Sequence, residues 1–538
     1  MECTVSEDRN DLIAYTLNAQ SDFAWGVIRK WVRNCGNHPS CVHEEPTLPL
    51  RVIDVGVRHQ GDSYDTPKLL ATNGTAGRYV ALSYCWGGQQ KIVTKITNVK
   101  DHMQRLPMDS LSQSIVDAIT VCRQLNLRYL WVDALCILQD DEVGKLAEIA
   151  RMHEIYKNAT LTIVAASAKS ADEGFLRPTA LPSCSLPYTS ATGDRELAVL
   201  SAVVIDAKNT TSRFWSQDAA ILWPPTEERA WTCQEVLLSP RKLIYGMVSL
   251  EWECLSGKET FTGDGFVFTE TLASASSRDP PPVNFFAGPS YTPSLKSIAF
   301  SWAEFVEEFS SRCLTNSEDK LSAMSAIAAE YHRISGWTYA AGLWRETIII
   351  DLFWQLDTEF EGLRNAQRRS WPDTQRPIAY RAPSWSWTAV DGLIKPGCKQ
   401  DLMFSTEVAE IVDIIPEHHP EAPFGRLLGC TLVVTALLCS MQELPRDPYE
   451  DDDNLMFDFE PRVAPEDDRD GCSLLWLVNT LSEESAEEPD EESHDGLAAG
   501  LLVMPAEGKD GFWRRIGIFH SIRPKYFKGQ PRSKLQLV

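Results

Sequence analysis

The chain has 538 residues, of which 75 are acidic and 51 are basic, so its formal net charge at pH 7 is −24. Proteins that bind nucleic acid or acidic membrane surfaces usually carry a basic patch, so this balance argues against both kinds of partner. No apolar run reaches the roughly 20 residues of a membrane span, and the first residues lack the basic and apolar regions of a signal peptide. The 14 cysteines are spread through apolar segments. We therefore expect reduced, partly buried thiols in a cytoplasmic protein rather than a disulfide framework.

The N-terminal segment, residues 1–50, combines a helical apolar pattern with a group of soft or borderline metal ligands. These ligands follow the spacing Cys-x2-His-x2-Cys-x-His, and they are Cys35, His38, Cys41 and His43. Structural zinc is held by four such ligands. A second ligand pair further along the chain is missing, however, and three ligands this close in one loop strain a tetrahedron. A metal site and a buried turn both remain open as interpretations, and no metal is assigned.

Between residues 51 and 255, β-branched segments alternate with amphipathic ones. Strands are predicted at 51–55, 79–84, 129–138 and 161–166, and helices are predicted at 110–126, 139–156 and 229–238. Strands and helices that alternate over short connections are typical of a parallel sheet with right-handed crossovers. We therefore predict an α/β domain with a parallel sheet at 51–255, interrupted by a longer insertion at 167–222.

Three polar or aromatic residues stand out within or just after these strands. The strand at 79–84 carries Ser83 near its carboxyl end and is followed by Trp86, at the edge where open α/β sheets bind ligands. Trp86 taken alone equally fits a plug at the end of the core. Asp133 interrupts an apolar run, and a buried carboxylate is costly unless it is paired. Asp133 is therefore either structural, binding backbone amides of the next turn, or functional.

The pattern changes twice after residue 255. Residues 256–395 are mostly helical in pattern and include Trp385 and Trp387, which we expect to pack in a core. Residues 396–538 are β-rich, with antiparallel strands predicted at 405–445 and 497–520. Acidic stretches such as 450–453 and 483–492 are predicted to be solvated or disordered insertions.

Three motifs, taken together and in this order, resemble the heterokaryon incompatibility (HET) domain of filamentous fungi. They are residues 79–87 (YVALSYCWG), 129–141 (YLWVDALCILQDD) and 229–241 (RAWTCQEVLLSPR). The resemblance implies a role in non-self recognition and programmed cell death. It also implies self-association or binding to a partner incompatibility protein.

HET domains are in turn similar to Toll/interleukin-receptor (TIR) domains, which implies a flavodoxin-like parallel sheet. Some TIR domains cleave NAD at the nicotinamide–ribose bond with a glutamate in a Trp-Cys-x-x-Glu pattern on a helix. Residues 231–235 (WTCQE) keep the Trp-to-Glu spacing, with the cysteine displaced by one position. The resemblance therefore implies that Glu235 is the catalytic carboxylate, since a carboxylate stabilises an oxocarbenium-like transition state. NAD would be a substrate, and no bound cofactor is predicted.

The same resemblance, together with the predicted sheet edge, indicates which residues bind the substrate. Ser83, Trp86, Asp133 and Trp231 are expected to converge on one cleft with Glu235, where an indole can stack on a flat base or on a cation. The structural alternative is that Glu235 pairs with an arginine, either Arg229 or Arg241, and that Trp231 belongs to the core.

Two other functional interpretations remain open. One is a non-enzymatic, TIR-like signalling and self-assembly module. The other is a cysteine hydrolase that uses Cys85, Cys136 or Cys233 with His153, although the sequence has no nucleophile elbow or local Cys/His signature. Release of nicotinamide from NAD separates the enzyme from the non-enzymatic module.

Overall fold

The computed structural model describes most of the chain in two units. The described residues are 16–41, 45–60, 63–180, 183–189, 195–201, 224–247, 249–262, 267–271, 283–287, 291–357, 377, 379–397, 406–419, 422–443, 455–458, 471–480 and 497–538. One unit lies within 1–148 and 152–274, and the other within 149–151 and 275–538. His43 and the acidic stretches 450–453 and 483–492 lie outside the described residues. Within those residues, no helix combines the length and apolarity needed to cross a membrane.

The first part of the chain, through residue 271, contains both strands and helices. Its strands are β1 (Thr16–Leu17), β2 (Arg51–Asp54), β3 (Lys68–Ala71), β4 (Tyr79–Ser83), β5 (Tyr129–Trp131), β6 (Leu161–Val164), β7 (Thr179–Ala180), β8 (Ser183–Thr189), β9 (Arg195–Ser201), β10 (Arg241–Tyr245), β11 (Ser249–Cys254), β12 (Gly257–Thr262) and β13 (Val267–Thr271). Its helices are α1 (Asp22–Cys35), α2 (Val99–Gln104), α3 (Gln113–Gln124), α4 (Asp133–Cys136), α5 (Glu142–Ala150), α6 (Met152–Asn158) and α7 (Ala230–Leu237).

Nine of the described strands form one mixed sheet in the order β13-β12-β11-β10-β6-β4-β5-β2-β3. Its centre, β10-β6-β4-β5, is parallel. Numbered along the chain, these four strands follow the order 2-1-3-4 across the sheet, which begins the flavodoxin-like doubly wound order. The prediction that β4 and β5 are neighbouring strands is confirmed by their direct pairing.

The flanks of the sheet differ from the predicted parallel arrangement. β2 pairs with both β5 and β3 in antiparallel fashion, and β10 to β13 form antiparallel hairpins. The predicted parallel sheet is therefore confirmed at its centre and wrong at both flanks. The connections from β10 to β13 contain only a few residues, and parallel neighbours would need long crossovers instead.

The apolar run at 129–138 does not form one long strand as predicted. β5 ends at Trp131, and the one-turn helix α4 begins at Asp133. The Asp133 carboxylate accepts the backbone N–H of Ala134 at 2.7 Å, and Cys136 donates its N–H to the carbonyl of Val132 at 2.7 Å. The prediction was wrong because a short apolar run fits a buried strand and a buried helix equally well.

Both predicted boundaries of the α/β domain also lie inside this unit. The helix α1 packs on the sheet, where the rings of Phe23 and Phe261 are 5.6 Å apart and the indole N–H of Trp31 donates to Glu259 at 2.8 Å. The sheet itself continues to Thr271, past the predicted boundary at 255. Residues before 51 and after 255 therefore complete the same core.

The second unit contains helices and a β-rich region, as the sequence predicts. Its helices are α8 (Leu295–Ser310), α9 (Lys320–Ser335) and α10 (Ile348–Asp351). Its strands are β14 (Tyr339–Ala340), β15 (Leu343–Trp344), β16 (Gln355–Leu356), β17 (Ile394–Lys395), β18 (Thr406–Glu407), β19 (Glu410–His419), β20 (Ala422–Ser440), β21 (Leu455–Phe457), β22 (Ser473–Thr480), β23 (Leu497–Pro505), β24 (Phe512–Ile522) and β25 (Arg532–Leu537).

The β-rich region closes on itself. β22, β23, β24, β25 and β20 pair in sequence, and β20 also pairs with β22, so these five strands form a ring. Closure removes exposed strand edges. Trp385 and Trp387 are both buried, as predicted. Their indole N–H groups donate to backbone carbonyls, Trp385 to Leu537 at 3.1 Å and Trp387 to Gly342 at 2.8 Å.

Candidate active site

The carboxyl ends of two neighbouring parallel strands and one helix meet in the first unit. β4 ends at Ser83, and β5 ends two residues before Asp133. β4 and β6 are the first and third parallel strands, so the strand order reverses between them, and such a switch point is where doubly wound sheets bind ligands. Helix α7 contacts β4 and contributes Glu235 to the same place.

Trp86 and Asp133 are joined directly. The indole N–H of Trp86 donates to Oδ2 of Asp133 at 2.9 Å, while Oδ1 accepts the backbone N–H of Ala134. Both side chains are half-buried. Burial raises the pKa of Asp133 above its usual range, and the Ala134 N–H and the charge of Arg229 oppose that rise. Asp133 therefore both begins helix α4 and orients an indole that faces partly into solvent.

The turn that carries Trp86 requires a glycine. Gly87 has a φ of +68°, and a Cβ placed there would lie 2.2 Å from the Cβ of Ser170. On the other side of the turn, the carbonyl of Trp86 accepts the N–H of Ala171 at 3.3 Å and the side-chain amide of Gln90 at 3.0 Å. The indole is thus held on a turn that has little room to move.

Glu235 is the most perturbed carboxylate of the site. Its side chain is 6% exposed, and burial raises its pKa to about 7. The negative charge of Asp133 contributes to this rise, whereas the Ser83 hydroxyl, the Arg229 charge and the Tyr156 hydroxyl oppose it. Two carboxylic acids with raised pKa values therefore act on each other in one buried region.

Hydroxyl groups surround the two carboxylates. The Tyr156 hydroxyl donates to the carbonyl of Leu82 at 3.1 Å and lies beside Glu235, while the Tyr84 hydroxyl lies beside Asp133. The Ser83 and Tyr84 hydroxyls, although buried, make no hydrogen bond of full geometry with any residue that the structure describes. The Ser83 hydroxyl nevertheless lowers the pKa of Glu235, and the Tyr84 hydroxyl lowers that of Asp133, so both hydroxyls face the carboxylates.

The two arginines that could pair with Glu235, Arg229 and Arg241, have different surroundings. Arg241 directs its guanidinium to the carbonyl oxygens of Thr160 and Cys41, at 2.7 and 2.6 Å. Arg229 donates to the carbonyl of Tyr84 at 3.0 Å, and its charge acts on Glu235 at the same time. The charge of Arg229 lowers the pKa of Glu235, but burial and the charge of Asp133 outweigh it.

Trp231 and the cysteines complete the set of sequence candidates. Trp231 lies one helical turn before Glu235 on α7 and is half-buried, and its place in a substrate site stays a prediction. Cys85, Cys136 and Cys233 are buried, and burial raises the pKa of Cys85 to about 11 and that of Cys136 to about 12. Such thiols are protonated and weakly nucleophilic at neutral pH, which disfavours a cysteine hydrolase.

Tyr84 and Tyr156 were not among the sequence candidates. Tyr84 lies within the motif at 79–87, next to Ser83, and Tyr156 lies on helix α6. Both belong to apolar stretches of the sequence, where tyrosines usually pack in the core. The usable signal was their hydroxyl group, since a buried tyrosine hydroxyl needs a polar neighbour.

Comparisons with known proteins agree on this region. Residues 79–235 match the family model described as heterokaryon incompatibility protein (HET). A curated relative, heterokaryon incompatibility protein 6, OR allele, from Neurospora crassa, is 28% identical over 144 residues, which cover 24% of this chain and 20% of the relative. The match thus spans about a fifth of the relative's own length. No solved structure gives a significant match.

The matched segment begins with β4 and ends at Glu235, so it contains every member of the site described above. The three motifs that carry the resemblance in the sequence fall on β4 and its turn, on β5 with α4, and on α7. Residues 79–235 of this chain are a heterokaryon incompatibility (HET) domain.

Proposed function

We propose that this protein acts in heterokaryon incompatibility, as a non-self recognition protein of the cytoplasm that triggers programmed cell death. Within it, the HET domain cleaves NAD at the nicotinamide–ribose bond, with Glu235 as the catalytic carboxylate. The observation that carries this proposal is the interacting pair of carboxylic acids, the buried Glu235 and the half-buried Asp133, at the switch point of the sheet. Self-association or a partner incompatibility protein is the proposed trigger.

The charge of the site suits this substrate. Two neighbouring carboxylates in a poorly solvated place raise each other's pKa, and a bound cation relieves that repulsion. The nicotinamide ring of NAD carries a positive charge, and the ribose acquires positive charge as the bond to nicotinamide breaks. A carboxylate fixed in a low-dielectric site stabilises that developing charge strongly.

The reaction balances with water as the second substrate. The electron pair of the bond between the ribose carbon and the ring nitrogen leaves with nicotinamide, which becomes neutral. Water then attacks the ribose carbon, and its proton passes to Glu235 and on to solvent. The products are ADP-ribose, nicotinamide and one proton. A pKa of about 7 suits Glu235 to this transfer, because a general base works best when its pKa is near the ambient pH.

The other residues have binding roles in this scheme. Asp133 holds the indole of Trp86, whose face can stack on the nicotinamide or adenine ring. The Ser83 hydroxyl, which lacks a full hydrogen bond among the described residues, can donate to the substrate next to Glu235. Trp231 would contribute a second aromatic surface from helix α7.

Nicotinamide release tests the proposal directly. The purified full chain is incubated with NAD, and nicotinamide and ADP-ribose are quantified by chromatography. Glu235→Gln keeps the shape of the side chain and removes its charge, so we expect turnover to fall by about 10²–10⁴-fold. Glu407→Gln, at an exposed glutamate of β18, is the matched control and should retain full turnover.

The negative outcome has a definite meaning. Equal turnover in the wild type and in folded Glu235→Gln would show that Glu235 takes no part in the reaction. A folded wild type that releases no nicotinamide, alone or after self-association, would contradict the enzymatic proposal and favour the non-enzymatic signalling module.

A further inference from the structure

A second polar cluster lies in the first unit, where the C-terminal end of helix α1 meets the C-terminal end of strand β11. It contains Cys35, the last residue of α1, then His38 and Cys41 in the short turn that follows, and Cys254, the last residue of β11. The three thiol sulphurs and a ring nitrogen of His38 all lie within 4.8 Å of one another. Three of the four side chains are buried, and His38 is half-buried.

The spacing of these atoms fits a tetrahedral metal ion. Zinc binds sulphur at about 2.3 Å and imidazole nitrogen at about 2.0 Å, so tetrahedral ligand atoms lie roughly 3.5–3.8 Å apart. Nδ1 of His38 is 3.5 Å from the sulphur of Cys254 and 3.9 Å from the sulphur of Cys41. The four side chains therefore surround a common centre at distances that suit a metal ion.

The fourth ligand explains why the sequence pattern was incomplete. The sequence pattern offers His43 as a fourth ligand beside Cys35, His38 and Cys41 and shows no second ligand pair, and His43 lies outside the described residues. Cys254 comes instead from a strand that is 216 residues from His38 along the chain. Cys254 thus supplies the fourth ligand from a separate strand, in place of the missing second ligand pair.

The surroundings of the cluster resemble the outer shell of a metal site. The hydroxyls of Ser40 and Ser256 bond each other at 2.8 Å and lie 4.0 and 3.9 Å from the sulphur of Cys41. Arg241 donates to the carbonyl oxygen of Cys41 at 2.6 Å, which fixes the turn and brings a positive charge near the thiolates. Three thiolates around one Zn²⁺ leave a net negative charge, and this arginine offsets it. Such outer groups orient metal ligands and tune their basicity.

We propose that Cys35, His38, Cys41 and Cys254 bind one Zn²⁺ ion in a closed structural site that fastens helix α1 to the central sheet. Four protein ligands leave no open coordination position, so the ion does not take part in catalysis. The HET domain at 79–235 lies between the ligands Cys41 and Cys254 along the chain. Binding of the ion therefore closes the loop that contains the whole HET domain, and it restricts the unfolded chain accordingly.

Metal analysis of the purified full chain tests this proposal. Protein prepared without chelators should contain about one zinc ion per chain, and its unfolding temperature should fall when a chelator removes the ion. Cys254→Ser should lose the zinc. Cys122→Ser, at a buried cysteine of helix α3 outside the cluster, is the matched control and should keep it.

Cobalt substitution keeps the test decisive if Cys254→Ser does not fold. Co²⁺ exchanged into the wild type should give the visible bands of a tetrahedral site with thiolate charge-transfer intensity for three sulphurs. Cys254→His, which preserves four ligands, should retain the tetrahedral bands and lose about one third of the charge-transfer intensity.

Two results would overturn the proposal. One is a folded wild type with no zinc above the buffer level and no tetrahedral cobalt spectrum. The other is a folded Cys254→Ser variant that retains its full zinc content. Alkylation of the native protein distinguishes zinc-bound thiols from a disulfide among these cysteines. Zinc-bound thiols react with the alkylating agent once a chelator has removed the ion, whereas a disulfide must first be reduced.

Discussion

Burial raises the pKa values of two carboxylic acids, Glu235 in the first unit and Asp351 in the second, to about 7. Their surroundings differ. The Asp351 carboxylate accepts the hydroxyl of Thr347 at 2.7 Å and the backbone N–H of Trp344 at 3.3 Å, both from nearby in the chain. Glu235 instead has neighbours from several distant segments, one of which is the second carboxylate, Asp133.

The comparison shows that a raised pKa does not by itself identify an active site. Asp351 is held by hydrogen bonds from its own turn, and such a local arrangement stabilises the start of helix α10. At Glu235, by contrast, the sheet topology gathers a second acid, an arginine and several hydroxyl groups at the edge of the sheet where the strand order reverses. Convergence of titratable groups at such an edge is the stronger indication of function.

Substituting each acid by its amide should give the largest difference between the two regions. We expect Glu235→Gln to reduce nicotinamide release by about 10²–10⁴-fold, because it removes the charge that stabilises the ribosyl cation. Asp351→Asn should leave that rate unchanged. Both rates are measured on variants whose circular dichroism matches the wild type. A loss of turnover in Asp351→Asn equal to that in Glu235→Gln would contradict the distinction between the two regions.

The pH dependence of stability should reveal the cost of burying Glu235. Its pKa is about 7 in the folded state and 4.5 in an ordinary glutamate, so the folded state binds more protons between these values. The free energy of unfolding should therefore fall as the pH rises from about 4.5 to about 7, by up to about 3 kcal/mol from this group, and level off above.

Urea unfolding at several pH values checks this expectation. The glutamine of Glu235→Gln does not titrate. The free energy of unfolding of this variant, relative to that of the wild type, should therefore rise as the pH rises from 5 to 8. Asp351→Asn should show the same trend, because its pKa is raised for the same reason. A wild type whose stability rises over this range by the same amount as Glu235→Gln would rule out the proposed burial cost.

Substitution of Gly87 tests how tightly the Trp86 turn is held. Gly87→Ala places a methyl group 2.2 Å from the Cβ of Ser170 at a φ of +68°, and we expect it to lower stability by about 1–3 kcal/mol and reduce turnover. Gly508→Ala is the control, because it has a φ of +70° but no atom within 4 Å of the new methyl. Equal destabilisation of the two variants, measured by urea unfolding, would mean that the contact with Ser170 is unimportant.

The smallest effect is expected from removing one indole N–H. Trp86→Phe loses the hydrogen bond to Asp133, which should cost about 1 kcal/mol of stability and raise the pKa of Asp133 further. Turnover should also fall. Trp385→Phe, which loses a hydrogen bond to Leu537 in the second unit, should cost similar stability without changing turnover. If Trp385→Phe reduced turnover and Trp86→Phe did not, the site would be misplaced.

Local sequence patterns were sufficient to locate most elements of the HET domain. β4, β6 and α7 lie within a few residues of their predicted positions, because alternation of side chains along a strand and helical periodicity are signals within a single segment. The strand pattern indicated Ser83 and Trp86 as candidates, whereas the resemblance to TIR domains indicated Glu235. The sequence could not specify that Asp133 begins a helix, since an apolar run fits either conformation.

The sequence by itself therefore determined the order of strands and helices, the family resemblance and the residue types available for chemistry. Only the tertiary structure decided which of them meet. The antiparallel flanks of the sheet, the position of Tyr156 beside Glu235 and the arrival of Cys254 at the Cys35 cluster all depend on contacts between distant segments. Such contacts follow from packing of the whole core, and they leave no periodic trace in any one segment of the chain.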